Sequence, residues 1–147
     1  MKKQFIKTTA ILGLFLVLAI SSANAQTAGR VEVNIPFDFS AGKVTLKAGD
    51  YSIKRTSGNA LVIRSLDGKI NALISAPMEI GSRDYKAGQR LVFNQYGDRY
   101  FLSQVWLRLD NGLQLFTSGA EVKAARYYRL AKNQAKPQRV EIALQVR

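Results

Sequence analysis

Leu91-Val92-Phe93-Asn94-Gln95-Tyr96-Gly97-Asp98-Arg99-Tyr100-Phe101-Leu102-Ser103-Gln104-Val105-Trp106 is the stretch that decides the fold class. Two runs rich in β-branched and aromatic residues flank Gly97-Asp98. Glycine at the first turn position tolerates the positive φ of a type II′ turn, so the stretch predicts a tight hairpin. A regular register places Leu91, Phe93, Tyr100, Leu102 and Trp106 on one face. Val92, Tyr96, Phe101, Val105 and Leu107 then share the other. Both faces are largely apolar, which predicts a central hairpin covered by another sheet or helix on one side.

Working toward the N-terminus, Pro77–Gly88 reads as a longer connection with a short irregular piece around Met78–Ser82. Leu61–Arg64 and Ile70–Ile74 flank Asp67-Gly68, a type I′ hairpin pattern. Ser57-Gly58-Asn59 breaks the chain before them. Val44–Leu46 and Tyr51–Arg55 read as short strands around a Gly49-Asp50 turn. Val31, Val33, Ile35, Phe37 and Phe39 alternate with polar residues, the period of a half-buried strand. Pro36 lies on its outward face and predicts an edge strand or a bulge, because proline donates nothing to a ladder.

Toward the C-terminus, Asp110-Asn111-Gly112 reads as a turn. Ser118-x-x-Glu121 is a capping-box pattern opening a helix of roughly Gly119–Asn133. At 3.6 residues per turn Ala120, Ala124, Tyr127, Tyr128 and Ala131 fall on one face. Arg126, Arg129 and Lys132 fall on the opposite one. Val140, Ile142, Leu144 and Val146 alternate as one more half-buried strand. Together these predict a mainly β protein: an antiparallel sandwich or partly open barrel of about eight strands with one late amphipathic helix.

The first 25 residues carry a separate signal. Lys2, Lys3 and Lys7 precede an apolar run from Thr9 to Ile20, and Ala23 and Ala25 put small residues before a cut between Ala25 and Gln26. This is the layout of a bacterial secretory leader. A retained membrane anchor is the alternative, but a spanning helix needs roughly 20 apolar residues and this run has about a dozen. The expected organisation is a leader over 1–25 and a single β-rich domain over 26–147, periplasmic or secreted, with no further membrane-spanning segment. The absence of cysteine excludes a lipoprotein acylation site and leaves stability to burial and sheet hydrogen bonds.

The 147-residue chain is strongly basic, +12 overall, and loss of the three leader lysines leaves it about +9. Such a balance favours anionic envelope components, lipid head groups or polysaccharide. Nucleic acid has the charge for it, but no groove-entering motif is present. Without histidine or cysteine there is no thiol nucleophile, no imidazole base and no ordinary zinc, copper or haem ligand set. No metal site, no cofactor site and no catalytic residue is expected. Asp50, Asp67, Asp98 and Asp110 each neighbour a glycine or lie one residue from one, where turn chemistry accounts for them.

Two features remain as candidate binding sites. Tyr96, Arg99 and Tyr100 at the hairpin tip have the side chains to stack on a sugar or base; the plainer reading is a solvated turn whose tyrosines straddle two faces. Arg126, Arg129 and Lys132 form a cationic stripe, whose plainer reading is the solvated side of a packed helix. The segments Asn34–Phe39, Leu46-x-Ala48-Gly49-x-Tyr51 and Tyr96–Trp106 together resemble a family of uncharacterised bacterial exported proteins, over most of the chain after the leader. The family pattern usually has proline where Lys47 stands before Ala48-Gly49. The resemblance implies export and a single domain, and assigns no activity or site. The expected function is a non-enzymatic envelope or secreted binding domain; the alternative is a carboxylate-based hydrolase of cell-wall or extracellular polysaccharide.

Overall fold

The computed structural model describes residues 30–76, 78–82, 85–131 and 136–144. Eleven strands occur among them: β1 (Arg30–Ile35), β2 (Phe39–Ala41), β3 (Val44–Leu46), β4 (Gly49–Thr56), β5 (Ala60–Ser65), β6 (Asn71–Ser75), β7 (Met78–Gly81), β8 (Arg90–Tyr96), β9 (Arg99–Trp106), β10 (Asn111–Gln114) and β11 (Gln138–Ala143). A 3-10 turn spans Tyr85–Ala87, and the one helix among them, α1, spans Gly119–Ala131. The protein is mainly β, as its alternation predicts, with more and shorter strands than the eight expected.

The strands form two open sheets. One is antiparallel in the order β1-β4-β5-β6; the other runs β11-β8-β9-β10-β7, with the β2–β3 hairpin joined to β9 through a parallel β2–β9 pair. The period-two pattern works as read in β1, where Val31, Val33 and Ile35 are buried and the residues between them exposed. Pro36 ends that edge strand, and the chain crosses to the second sheet. Phe37 and Phe39 then enter the core, where they join Phe93, Tyr100 and Tyr51 in one aromatic series: Phe37 stacks on Tyr100 at 3.9 Å, and Phe39 meets Phe93 and Tyr51 edge-on at 5.5 Å. Each such pair adds about 0.5–1.5 kcal/mol beyond burial alone. The buried Tyr51 hydroxyl donates to the Lys47 carbonyl at 2.6 Å.

The β8–β9 hairpin is central, and its turn is the tight one expected: Tyr96 pairs with Arg99, and Gly97 has φ 66° while Asp98 keeps a negative φ. Its two faces differ from the regular register. Phe93 pairs with Leu102 but Val92 pairs with Gln104, so Ser103 is an extra, bulged residue. A bulge reverses side-chain parity beyond it. Val105 therefore joins Leu91, Phe93 and Leu102 in the core, and Trp106 turns to the outer face, where it lies beside Arg90 at 4.7 Å and over Gly112. The bulge is held by its neighbour across the gap: Leu115 N–H donates to the Ser103 carbonyl at 2.9 Å, and the Gln114 amide donates to the same carbonyl at 3.0 Å.

Further corrections are of partners and turns. Gly49 and Asp50 lie inside β4, paired with Ile35 and Asn34; the real corner is Lys47-Ala48. Asp38 holds that corner, accepting from Ala48 N–H at 2.9 Å and Lys47 Nζ at 2.8 Å. The β5–β6 connection is a hairpin, but not a type I′ turn, because Asp67 keeps a negative φ and only Gly68 is positive. Gly68 N–H donates to the Ser65 carbonyl, and the Asp67 carboxylate accepts from Ser65 Oγ and Lys69 N–H, so side-chain bonds close a longer loop. Met78–Gly81 is a regular strand paired with β10, and Asn111 and Gly112 belong to β10 instead of a turn.

Helix α1 begins as its capping pattern predicts, with Ser118 Oγ accepting from Glu121 N–H at 3.1 Å. Its packed stripe is rotated from the expected one. Glu121 and Ala124 are buried and Ala125 and Tyr128 half-buried, while Ala120, Tyr127 and Ala131 face outward. The stripe rests on β8, where Glu121 meets Asn94 and Tyr128 meets Tyr96, and Val92 and Phe101 are buried on the same outer face of the hairpin. The central hairpin thus has buried apolar residues on both faces, more than the cover on one side that its pattern predicts.

Candidate functional site

The hairpin tip does not form one site, because its residues divide between two faces. Tyr96 turns under α1, with its ring 5.8 Å from Phe101 and 6.0 Å from Tyr128. Burial, and then the Glu121 charge, push its hydroxyl above the usual tyrosine range. Tyr100 turns the other way onto Phe37. Arg99 lies over the Phe101 ring at 5.2 Å. Both tyrosines are half-buried and committed to packing, which leaves Arg99 and the exposed Gly97-Asp98 at the tip.

The cationic stripe is exposed. Arg126 and Arg129 lie on the outward side of α1, where Arg129 Nε makes a long contact of 3.4 Å with the Ala125 carbonyl. Lys132, Ala25 and Gln26 lie outside the described residues. The sequence reading missed three companions on the same helix side. Lys123 adds a cation, and Val122 and Leu130 add apolar bulk beside Tyr127, with Leu130 78% and Tyr127 77% exposed. Reading α1 as an Ala/Tyr face against a basic face hid them, because Val122 and Leu130 fit neither group. Among the described residues none of Lys123, Arg126 and Arg129 forms an ion pair.

Glu121, the acidic residue of α1, points the other way. Its carboxylate accepts from Asn94 Nδ2 at 2.8 Å and lies 3.5 Å from the Tyr96 hydroxyl. Burial raises its pKa above the ordinary glutamate value, opposed by these hydrogen bonds. The box is therefore half-formed: Ser118 caps the helix, while the Glu121 side chain fastens it to β8.

Two concavities complete the surface. A cleft of about 460 Å³ opens between β1 and β11, with Glu32 and Asp50 in its wall beside Ile142 and Leu66. Both carboxylates are exposed and already engaged, Glu32 with Arg30 at 3.4 Å and Asp50 with Asn34 Nδ2 at 2.8 Å. A second, more apolar groove of about 380 Å³ lies beside β6. No group of three or more acidic residues close enough to hold a metal ion occurs among the described residues. No helix among them is long and apolar enough to cross a membrane. Comparison of the chain with protein-family models, curated proteins and solved structures finds no match.

Proposed function

We propose that the protein is an exported, non-catalytic envelope domain that associates with an anionic lipid surface through the outer side of α1. The observation that carries this reading is the sorting of the helix. Lys123, Arg126 and Arg129 share the outward side with Val122, Tyr127 and Leu130, and the acidic Glu121 is turned inward. A helix lying in a membrane interface combines these two features, cations for the head groups and apolar side chains for the acyl boundary. Each basic residue near an anionic bilayer contributes about 1 kcal/mol, and salt weakens the attraction. The apolar members favour lipid over an acidic polysaccharide, which offers charge without a hydrocarbon boundary.

Co-sedimentation with vesicles rich in phosphatidylglycerol tests the reading. Wild type is expected to bind these and not neutral vesicles, with binding lost at high salt. The triple variant Lys123→Glu/Arg126→Glu/Arg129→Glu loses binding, and Leu130→Ser weakens it. Binding by the triple variant equal to wild type at low salt overturns the reading. Binding to acidic polysaccharide alone, indifferent to Leu130→Ser, replaces the lipid surface with a glycan.

The hydrolase reading has one observation behind it, the shared cleft of Glu32 and Asp50. It stands second because a glycosidase turns both carboxylates on one scissile bond. Here each carboxylate is exposed beside a cation or an amide donor. Release of reducing sugar from peptidoglycan or glycan, abolished by Asp50→Asn, reverses that order.

A further inference from the structure

Among the described residues five strands have a free edge, since β3 pairs with β2 alone; three of the five carry charge, and β3 lies between Lys43 and Lys47. β1 has Arg30 and Glu32 and is stopped by Pro36; β11 has Arg139 and Glu141 behind Pro137; β7 has Glu79, engaged by Arg55 and Asn111. Charges and prolines of this kind protect free backbone edges from pairing with another chain. β6, Asn-Ala-Leu-Ile-Ser from Asn71 to Ser75, has neither, and among the described residues it pairs with β5 alone.

The free side of β6 borders a concavity. Leu73, Ile74 and Ser75 line the apolar groove of about 380 Å³ together with Val44 of β3 and Phe116 before α1. Leu73 in the middle of β6 is 70% exposed and Phe116 67% exposed, with the exposed Val44 beside them. An unprotected strand edge and an apolar groove therefore coincide. Lys43 is the charged residue lining that groove among the described residues, and no acidic residue lines it.

We infer that β6 is a strand-addition site for an extended, apolar peptide segment of another protein that carries a carboxylate at the end meeting Lys43. In this mode the main chain of the segment pairs with the β6 edge, and alternate side chains enter the groove against Leu73 and Phe116. Charge argues for an acidic foreign segment over a second copy, because two copies of a domain that is about +9 without its leader repel. The site lies apart from the outer side of α1, so its occupancy and the lipid association fail or succeed separately.

The probe is a fluorescent peptide alternating valine and threonine and ending in aspartate, followed by anisotropy and by hydrogen exchange on the purified protein. Binding is expected to slow exchange at Asn71–Ser75 and to leave β1, β7 and β11 unchanged. Leu73→Lys, which puts a charge on the bare edge, weakens binding at least about tenfold; Lys43→Glu or a lysine-ended peptide weakens it severalfold, the size of effect a directly opposed charge produces. Both substitutions are at exposed positions, so thermal melts matching wild type confirm that folding is retained, and vesicle binding stays unchanged. Absence of binding, equal binding by Leu73→Lys, or protection confined to another strand overturns the inference. A concentration-dependent dimer abolished by Leu73→Lys, without peptide binding, also overturns it and makes the occupant a second copy.

Discussion

Asp67 shows how much one exposed carboxylate decides. Hydrogen bonds from Ser65 Oγ and from the Lys69 backbone and side chain lower its pKa from 3.8 to about 2. Its ionised form is thus favoured by folding, so the stabilisation is present above the ordinary value and is lost as pH falls from about 4 through about 2. Denaturant melts of Asp67→Ala are expected to show reduced stability at pH 7 and no difference from wild type below pH 2. Glu121 behaves oppositely. Burial raises its pKa, so folding favours the neutral acid, and stability is lost as pH rises above the ordinary value through the raised one. Glu121→Gln should therefore be at least as stable as wild type at pH 7, an advantage that shrinks as pH falls below about 4. A variant less stable at pH 7, with a gap that closes in acid, would show that the charge itself holds the helix to Asn94.

At the scale of elements, the β9–β10 contact is the most exposed to a single change. Trp106 is buried at 4% exposure, and its indole N–H donates to Gln104 Oε1 at 3.1 Å. Trp106→Ala is expected to cost about 3–5 kcal/mol in urea melts, the range for emptying a buried aromatic site. A Cβ at Gly112 would lie 2.6 Å from Trp106 Cδ2, so Gly112→Ala should cost about 1–3 kcal/mol by overpacking. In the Trp106→Ala background that cost should largely vanish, a coupling that a double-mutant cycle reads directly. Additive costs would place the strain elsewhere. For α1, Ser118→Ala should cost about 1 kcal/mol through loss of the cap to Glu121 N–H.

At the scale of the whole molecule, the proposed export rests on the leader expected over residues 1–25. Mass spectrometry of the protein from periplasm or medium is expected to find an N-terminus at or next to Gln26. An intact Met1 in the membrane fraction would replace secretion with anchoring. The sheets that follow share one core, with Ile35, Tyr51, Ile53 and Ile63 from one side meeting Leu91, Phe93, Leu102 and Val105 from the other.

The sequence by itself determined what depends on near neighbours. Alternation in β1 marked Val31, Val33 and Ile35 as inward, Gly97 supplied the positive φ of the central turn, and Ser118 marked the start of α1. Composition excluded thiol and imidazole chemistry. Tertiary structure alone decided which strands meet. Gly49-Asp50 has the composition of a turn, yet Ile35 and Asn34 recruit it into β4. Ser103 resembles any strand residue, yet Leu115 and Gln114 hold it as a bulge that sends Trp106 outward and Val105 inward. The helix was legible, but its rotation was set by Asn94 and Tyr96 beneath it, which left Val122 and Leu130 beside the arginines. The bare edge of β6 was equally hidden, because a strand lacks a partner only when all the others have been placed. Side-chain alternation fixes which face a residue takes within its own strand, but pairing joins residues distant in sequence, and one extra residue in a partner reverses that face.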